Sequence, residues 1–170
     1  MTTNKFTKIA AAKPNLKPYA AHKIGDAYGG GIVFYVYDGG QHGLIAATED
    51  LNDIRWSATL TTTGSRANGV GAGKANTILI IANQAPVDGA PFAASVCNEY
   101  QGGGYGDWYL PSSSELNLLW AHRDLVGANG NYWCSNENDS DTVVNIHFET
   151  GMAYMTTKTE ERGVRCIRAF

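Results

Sequence analysis

The chain is poor in charge. Asp, Glu, Lys and Arg make up only 17% of its 170 residues, and the formal net charge is −3. No basic patch or stripe offers the electrostatic footprint that nucleic acid or an anionic membrane requires, so neither is expected as a partner. Cysteine is scarce as well. Cys97, Cys134 and Cys166 permit one bridge and one leftover thiol, too few for a disulfide-dense scaffold. Apolar runs are short: Ile78 to Ala82 covers little more than one helical turn, and no membrane insertion is expected. Met1 to Lys8 lacks the basic-then-apolar order of a secretory signal, so no export address is read there. The four histidines, His22, His42, His122 and His147, are scattered without paired metal-ligand spacing.

What the chain does have is 44% hydrophobic residues, twenty glycines and nine tyrosines. That length and content suit one well-buried core with many short elements joined by turns. Residues 1–24 are polar, Lys-rich and interrupted by Pro14 and Pro18, and read as an N-terminal arm before a domain over residues 25–170. Gly31 to Ala47 reads as a β-hairpin around Asp38-Gly39-Gly40. Asp50 to Gly73, rich in Thr, Gly and Asn, reads as a long loop stabilised by Trp56. Ile78, Ile81 and Ala82 stand at helical spacing in Lys74 to Gln84, and Phe92, Val96 and Tyr100 repeat every four residues, with Pro86 and Pro91 between the two stretches. A further helix follows Pro111, with Ser112 and Glu115 in capping-box spacing and a stripe of Leu116, Leu119 and Trp120. Four short strands close the chain, at Tyr132-Trp133, Val143 to Phe148, Met152 to Thr156 and Val164 to Ile167. The order predicts an α+β domain whose last strand returns near the first.

The stretch Gly104 to Leu116, GYGDWYLPSSSEL, resembles the G-x-x-D-W-x-L-P-[ST]-x-x-E-L signature of DUF1566 domains. KIGDAYGGGIVFYV from Lys23, AGKANTILIIANQ from Ala72, YWCSNE from Tyr132 and the closing RGVRCIRAF are similar to the same family, in the same order, over Lys23 to Phe170. The resemblance implies a C-type-lectin-like fold with two main helices, small twisted and mostly antiparallel sheets, and termini paired as strands. It also implies a bridge between a helix cysteine and the last strand, the places held by Cys97 and Cys166. A reducing compartment would instead leave two packed thiols. Cys134 is then an unpaired thiol.

Some lectin-like domains are the variable proteins of diversity-generating retroelements, in which adenines of a template repeat are randomised near the end of the gene. The segment Trp133 to Arg162 has this character. Trp133, Ser135, Phe148, Gly151 and Lys158 match the family framework, and chemically mixed residues lie between them: Cys134, Asn136, Asn138, Asp141, Thr142, Asn145, His147, Tyr154 and Thr156. All nine are reachable from an Asn codon by changing adenines alone. Strand alternation sends Val144, Ile146 and Phe148 one way and Asn145, His147 and Glu149 the other, while Tyr154 and Thr156 share a face. An ordinary solvated strand surface fits the same alternation.

Enzymatic readings are weaker. GVGAGKA at Gly69 to Ala75 departs from a phosphate loop, with Asn68 in place of its first Gly and Ala75 in place of Ser or Thr. Asn136, Glu137, Asn138, Asp139 and Asp141 offer oxygens to Ca²⁺, yet neither the EPN nor the WND pattern of sugar-binding lectins is present, and a solvated turn is the expectation. No nucleophile has a base beside it. The expectation is a monomeric, non-enzymatic module without metal or cofactor that binds a protein or glycan ligand, with Tyr154 as anchor. It would be displayed on a virion or cell surface. The alternative is a structural domain of such an assembly with no diversified site.

Overall fold

A computed structural model describes residues 20–84 and 88–170. Most of the expected arm (residues 1–19) and Pro86 lie outside the described residues. The last residues of that arm are part of the domain: the His22 amide donates to the Gly40 carbonyl at 2.8 Å, and its ring stacks on Tyr28 at 3.8 Å.

The alternating apolar run gives the first sheet. Strand β1 (Ala27–Tyr28) pairs with β2 (Gly31–Tyr37), which pairs with β3 (His42–Ala46) through the expected turn, all antiparallel. Gly40 holds φ +84°, and a Cβ there would come within 2.4 Å of the His22 carbonyl oxygen, so the turn requires glycine. The next segment departs from expectation. The region read as loop contains strand β4 (Leu51–Arg55), whose polar, half-exposed residues hide the alternation, and Asp53 at φ 57° coincides with a break in its register. Trp56, just after it, is fully buried, and its indole donates to the Cys134 carbonyl at 2.8 Å.

Three helices follow: α1 (Ala72–Asn83), α2 (Ala93–Glu99) and α3 (Ser113–Trp120). This corrects the expectation of a fold with two main helices. Helix α3 is a residue longer than α2 and contributes Leu116 and Leu119 to the core, held by a capping box between Ser112 and Glu115. The expected stripe of α1 is corrected as well. Ile78 is 61% exposed, whereas Gly73, Asn76, Thr77 and Ile80 are buried. The buried face of α1 is polar because its side chains are satisfied there. Asn76 bonds to Ala67 and Ser135, and Thr77 exchanges hydrogen bonds with Leu110.

The remaining strands are β5 (Asn131–Glu137), β6 (Thr142–His147), β7 (Met152–Thr157), β8 (Glu161–Val164) and β9 (Ile167–Ala169). They divide between two sheets, ordered β1-β2-β3-β9 and β4-β8-β5-β6-β7, the second mixed because β5 and β8 run parallel. The strand expected over Val164 to Ile167 is therefore two, one in each sheet. At the crossing, buried Arg165 donates to Asp50 at 2.6 Å and to the Ala47 and Val126 carbonyls, satisfying backbone that neither sheet pairs. Among the described strands, the first and last do not pair with each other: β1 and β9 occupy opposite edges of their sheet. The described residues form a small α+β domain of three short helices and nine strands.

The core has two parts. One gathers Trp56, Ile80, Phe92, Cys97, Trp133 and Cys166, and the other Phe34, Leu44, Leu116, Leu119, Tyr132 and Phe148. Each of the Leu, Ile and Phe side chains among them contributes about 1.5–3 kcal/mol on burial. A disulfide joins Cys97 on α2 to Cys166 at the sheet crossing, 69 residues apart.

Candidate functional site

The signature segment is a structural joint. Asp107 pairs with Arg168 at 2.6 and 3.0 Å, and this hydrogen bonding holds the Asp107 carboxyl below its ordinary pKa. Trp108 donates to the Gly102 carbonyl, and the Pro111 carbonyl accepts from the Ser135 amide. Glu115 is fully buried and accepts four hydrogen bonds, from the amides of Gly71, Gly73 and Ser112 and from the Tyr109 hydroxyl. Two of those amides open α1. The glycine-rich loop Gly69 to Ala75 thus already has a carboxylate where a phosphate would bind. Burial, with the adjacent Glu115, raises the Tyr109 pKa and keeps that phenol protonated.

A buried ion pair supports the far end of β5. Lys158 donates to Glu137 at 2.6 Å and to the Thr61 carbonyl at 2.7 Å, beneath Trp56. Burial alone would raise the Glu137 pKa. Lys158 and the amides of Thr63 and Gly64 outweigh it, and the pKa is lowered.

The nine residues read as variable do not form one surface. Cys134 is fully buried in the core and has no base beside it, and burial pushes its thiol pKa up, away from nucleophilic use. Asn136 is buried too, accepting from the Ser113 amide and donating to the Ala67 carbonyl. Asn138, Asp141 and Thr142 form the β5–β6 turn around Asp139, which accepts from the amides of Asp141 and Thr142. The oxygens considered for Ca²⁺ are in part committed to that turn, to the Ser113 contact and to Lys158. Among the described residues, no cluster of three or more His, Cys, Asp or Glu is arranged to hold a metal ion.

The other four, Asn145, His147, Tyr154 and Thr156, come together. They line a shallow cavity of ≈ 370 Å³ on the β6–β7 face with Asn131, Met155 and Arg162. Its floor is polar and rigid: Thr156 donates to Asn145 at 2.7 Å, and Asn145 donates to Asn131. The rim is open, with Met155 66% and Tyr154 46% exposed. Sequence reasoning missed Asn131 and Arg162. Alternation along β5 places Asn131 on the side of Trp133, which is a usable signal. Arg162 reaches the cavity by lying over the Trp133 ring at 5.8 Å, a contact no local pattern encodes.

Among the described residues, five buried side-chain nitrogen or oxygen atoms have no hydrogen-bond partner, and two of them, His147 Nδ1 and Arg162 Nε, belong to residues lining this cavity. A larger cavity of ≈ 440 Å³ beside His22, Tyr28 and Phe170 has none: its Arg168 is held by Asp107 and stacks on Tyr105 at 3.9 Å. Of these two cavities the β6–β7 face is the better candidate site; two of the other unpartnered atoms belong to Gln84, which lines a third cavity of ≈ 420 Å³. No helix among the described residues is long and apolar enough to cross a membrane. Compared with known proteins, the chain matches no family model, and no curated protein is significantly similar to it.

Proposed function

We propose that the chain is a non-enzymatic binding module of the DUF1566 type that presents its β6–β7 face to a protein or glycan partner. The observation that carries this reading is the pairing of a fixed polar floor, Asn131–Asn145–Thr156, with an exposed rim of Tyr154 and Met155. A rigid floor limits the entropy lost on binding, and tyrosine and methionine supply contact area that adapts to a partner. The buried, base-less Cys134 supports a role other than catalysis. In the same reading the chain is a variable protein of a diversity-generating retroelement, with His147 and Tyr154 as its contact-forming positions and the buried Asn145 and Thr156 as the floor beneath them. Cys134 and Asn136 face inward and serve the scaffold.

The test is a glycan and cell-surface binding screen on the purified chain, repeated with Asn145, His147 and Tyr154 each changed to Ala. Binding that all three changes leave intact removes the face. The retroelement reading is tested separately in the genome. It expects a nearby reverse transcriptase and an imperfect repeat of the codons for Trp133 to Phe170 that differs at adenines. Differences spread equally over other bases overturn it.

A further inference from the structure

We infer that β7 is the docking edge for a second copy of this chain, the two β7 strands pairing antiparallel across a two-fold axis. The contact is made by backbone at the rim of the sheet, not by the side chains that face a ligand in the proposed function. Four of the described strands are sheet edges, β1 and β9 in one sheet and β4 and β7 in the other. Three of these are closed to further pairing. Strand β1 is only two residues long. The outer side of β9 is taken by Tyr109, whose amide and carbonyl exchange hydrogen bonds with Ile167 at 2.8 and 3.0 Å. Strand β4 breaks its register at the exposed, left-handed Asp53. Short length, a cover, and a bulge with a charge are ordinary ways of keeping a sheet edge from pairing.

Strand β7 has none of them. Its six residues, MAYMTT, include no charge and no proline, and all six pair with β6 in unbroken register. Among the described residues, no backbone group from Ala153 to Thr156 bonds outside that ladder. In an antiparallel ladder alternate residues turn their N–H and C=O away from the partner, so this edge offers an unused row of donors and acceptors. Met152 to Met155 are all exposed, and Met155, at 66%, is the most exposed large hydrophobic among the described residues.

The number of bare edges decides the occupant. A single one per chain is used up when two copies meet, so the assembly closes, whereas two would propagate a fibre. Without charges on β7, a copy meets no like charge across the strand. Outward-turned residues must also face outward-turned residues, so the axis passes through a residue that faces itself, Tyr154 or Met155 for the greatest overlap. Such an edge contact falls below about 1,200 Å², which makes the pair weak and reversible. The chain is then not the monomer expected from its sequence.

The experiment is sedimentation equilibrium of the full chain from micromolar to millimolar concentration, with amide hydrogen exchange on the same samples. The mass is expected to rise from one chain towards two and stop there, while alternate amides of β7 gain protection as concentration rises. Met155→Lys sets two ammonium groups near the axis and is expected to weaken pairing about tenfold. Ile78→Lys, at a comparably exposed apolar residue of α1, is expected to leave it unchanged. A chain that stays monomeric at millimolar concentration, association beyond two, or pairing without a change in β7 exchange overturns the inference. So does pairing that survives Met155→Lys, or that Ile78→Lys weakens equally. If Met155→Lys does not fold, the exchange of the wild type decides alone. A dimer in a chain with no partner sensitive to Tyr154→Ala keeps this edge and removes the proposed function. A monomer that binds its partner through Tyr154 does the reverse.

Discussion

The segment Gly104–Leu116 and the β6–β7 face are built from similar polar side chains and treat them in opposite ways. In the first, Asp107, Ser112 and Glu115 each find protein partners, and Glu115 alone gathers four donors, two from its own segment and two from the loop that opens α1. In the second, Asn145 and Thr156 are satisfied, while His147 and Arg162 each keep a nitrogen unpaired. The motif that is most distinctive in the sequence is therefore a device for folding. The residues that recognition would use lie in a stretch that local patterns describe poorly. A polar group whose hydrogen bonds are all internal has little left to offer a ligand.

Mutations can break this contrast, and the largest effect is expected at Glu115. Changing it to Ala strands four buried donors and should cost about 5 kcal/mol, unfolding much of the population, as denaturant titration will show. Glu137→Gln leaves the Lys158 ammonium buried without its charge partner, and a loss of about 3–5 kcal/mol is expected. The same pair gives a pH dependence. Because the folded pKa of Glu137 is lowered, its stabilisation is fully present above the ordinary value of 4.5 and is lost as pH falls through the folded value. Melting curves from pH 6 down to about pH 3 should show that extra loss in the wild type and lack it in Glu137→Gln. Replacing both Cys97 and Cys166 by Ala opens a 69-residue loop and should cost about 2–4 kcal/mol, read as a lower melting temperature that reductant reproduces in the wild type. At the other extreme stands Tyr154→Ala. It should change stability by no more than about 0.5 kcal/mol while abolishing partner binding in the surface screen. If Tyr154→Ala unfolds the chain, or Glu115→Ala leaves it stable, the contrast fails.

Part of this architecture was legible in the residues. The β2–β3 hairpin follows from alternating apolar residues and a glycine turn, and α3 from its capping box, because those signals are local. The face of α1 was illegible for a physical reason. Hydrophobic spacing points to Ile78, but Asn76 and Thr77 are the ones buried, since the Ala67 loop, Ser135 and Leu110 supply their partners from distant sequence. Strand β4 escaped because an edge strand with polar residues carries no alternation. In the site, alternation grouped Asn145 with His147 and Tyr154 with Thr156. The codon reading included Cys134 and Asn136 because codon chemistry says nothing about burial, and neither reading reached Arg162 because the route over Trp133 exists only once β8 lies beside β5.

The bridge between Cys97 and Cys166 has a mechanical consequence. Strands β5 to β8, and with them every residue lining the β6–β7 cavity, lie inside the covalent loop it closes. Tension entering before Cys97 and leaving after Cys166 passes through the sulfur bridge and bypasses that loop. The strands outside it peel first, and the face stays slack. A partner gripping the cavity therefore holds a part of the molecule that pulling on the flanks cannot stretch while the bridge is intact. Reduction would put the whole face in series with the load.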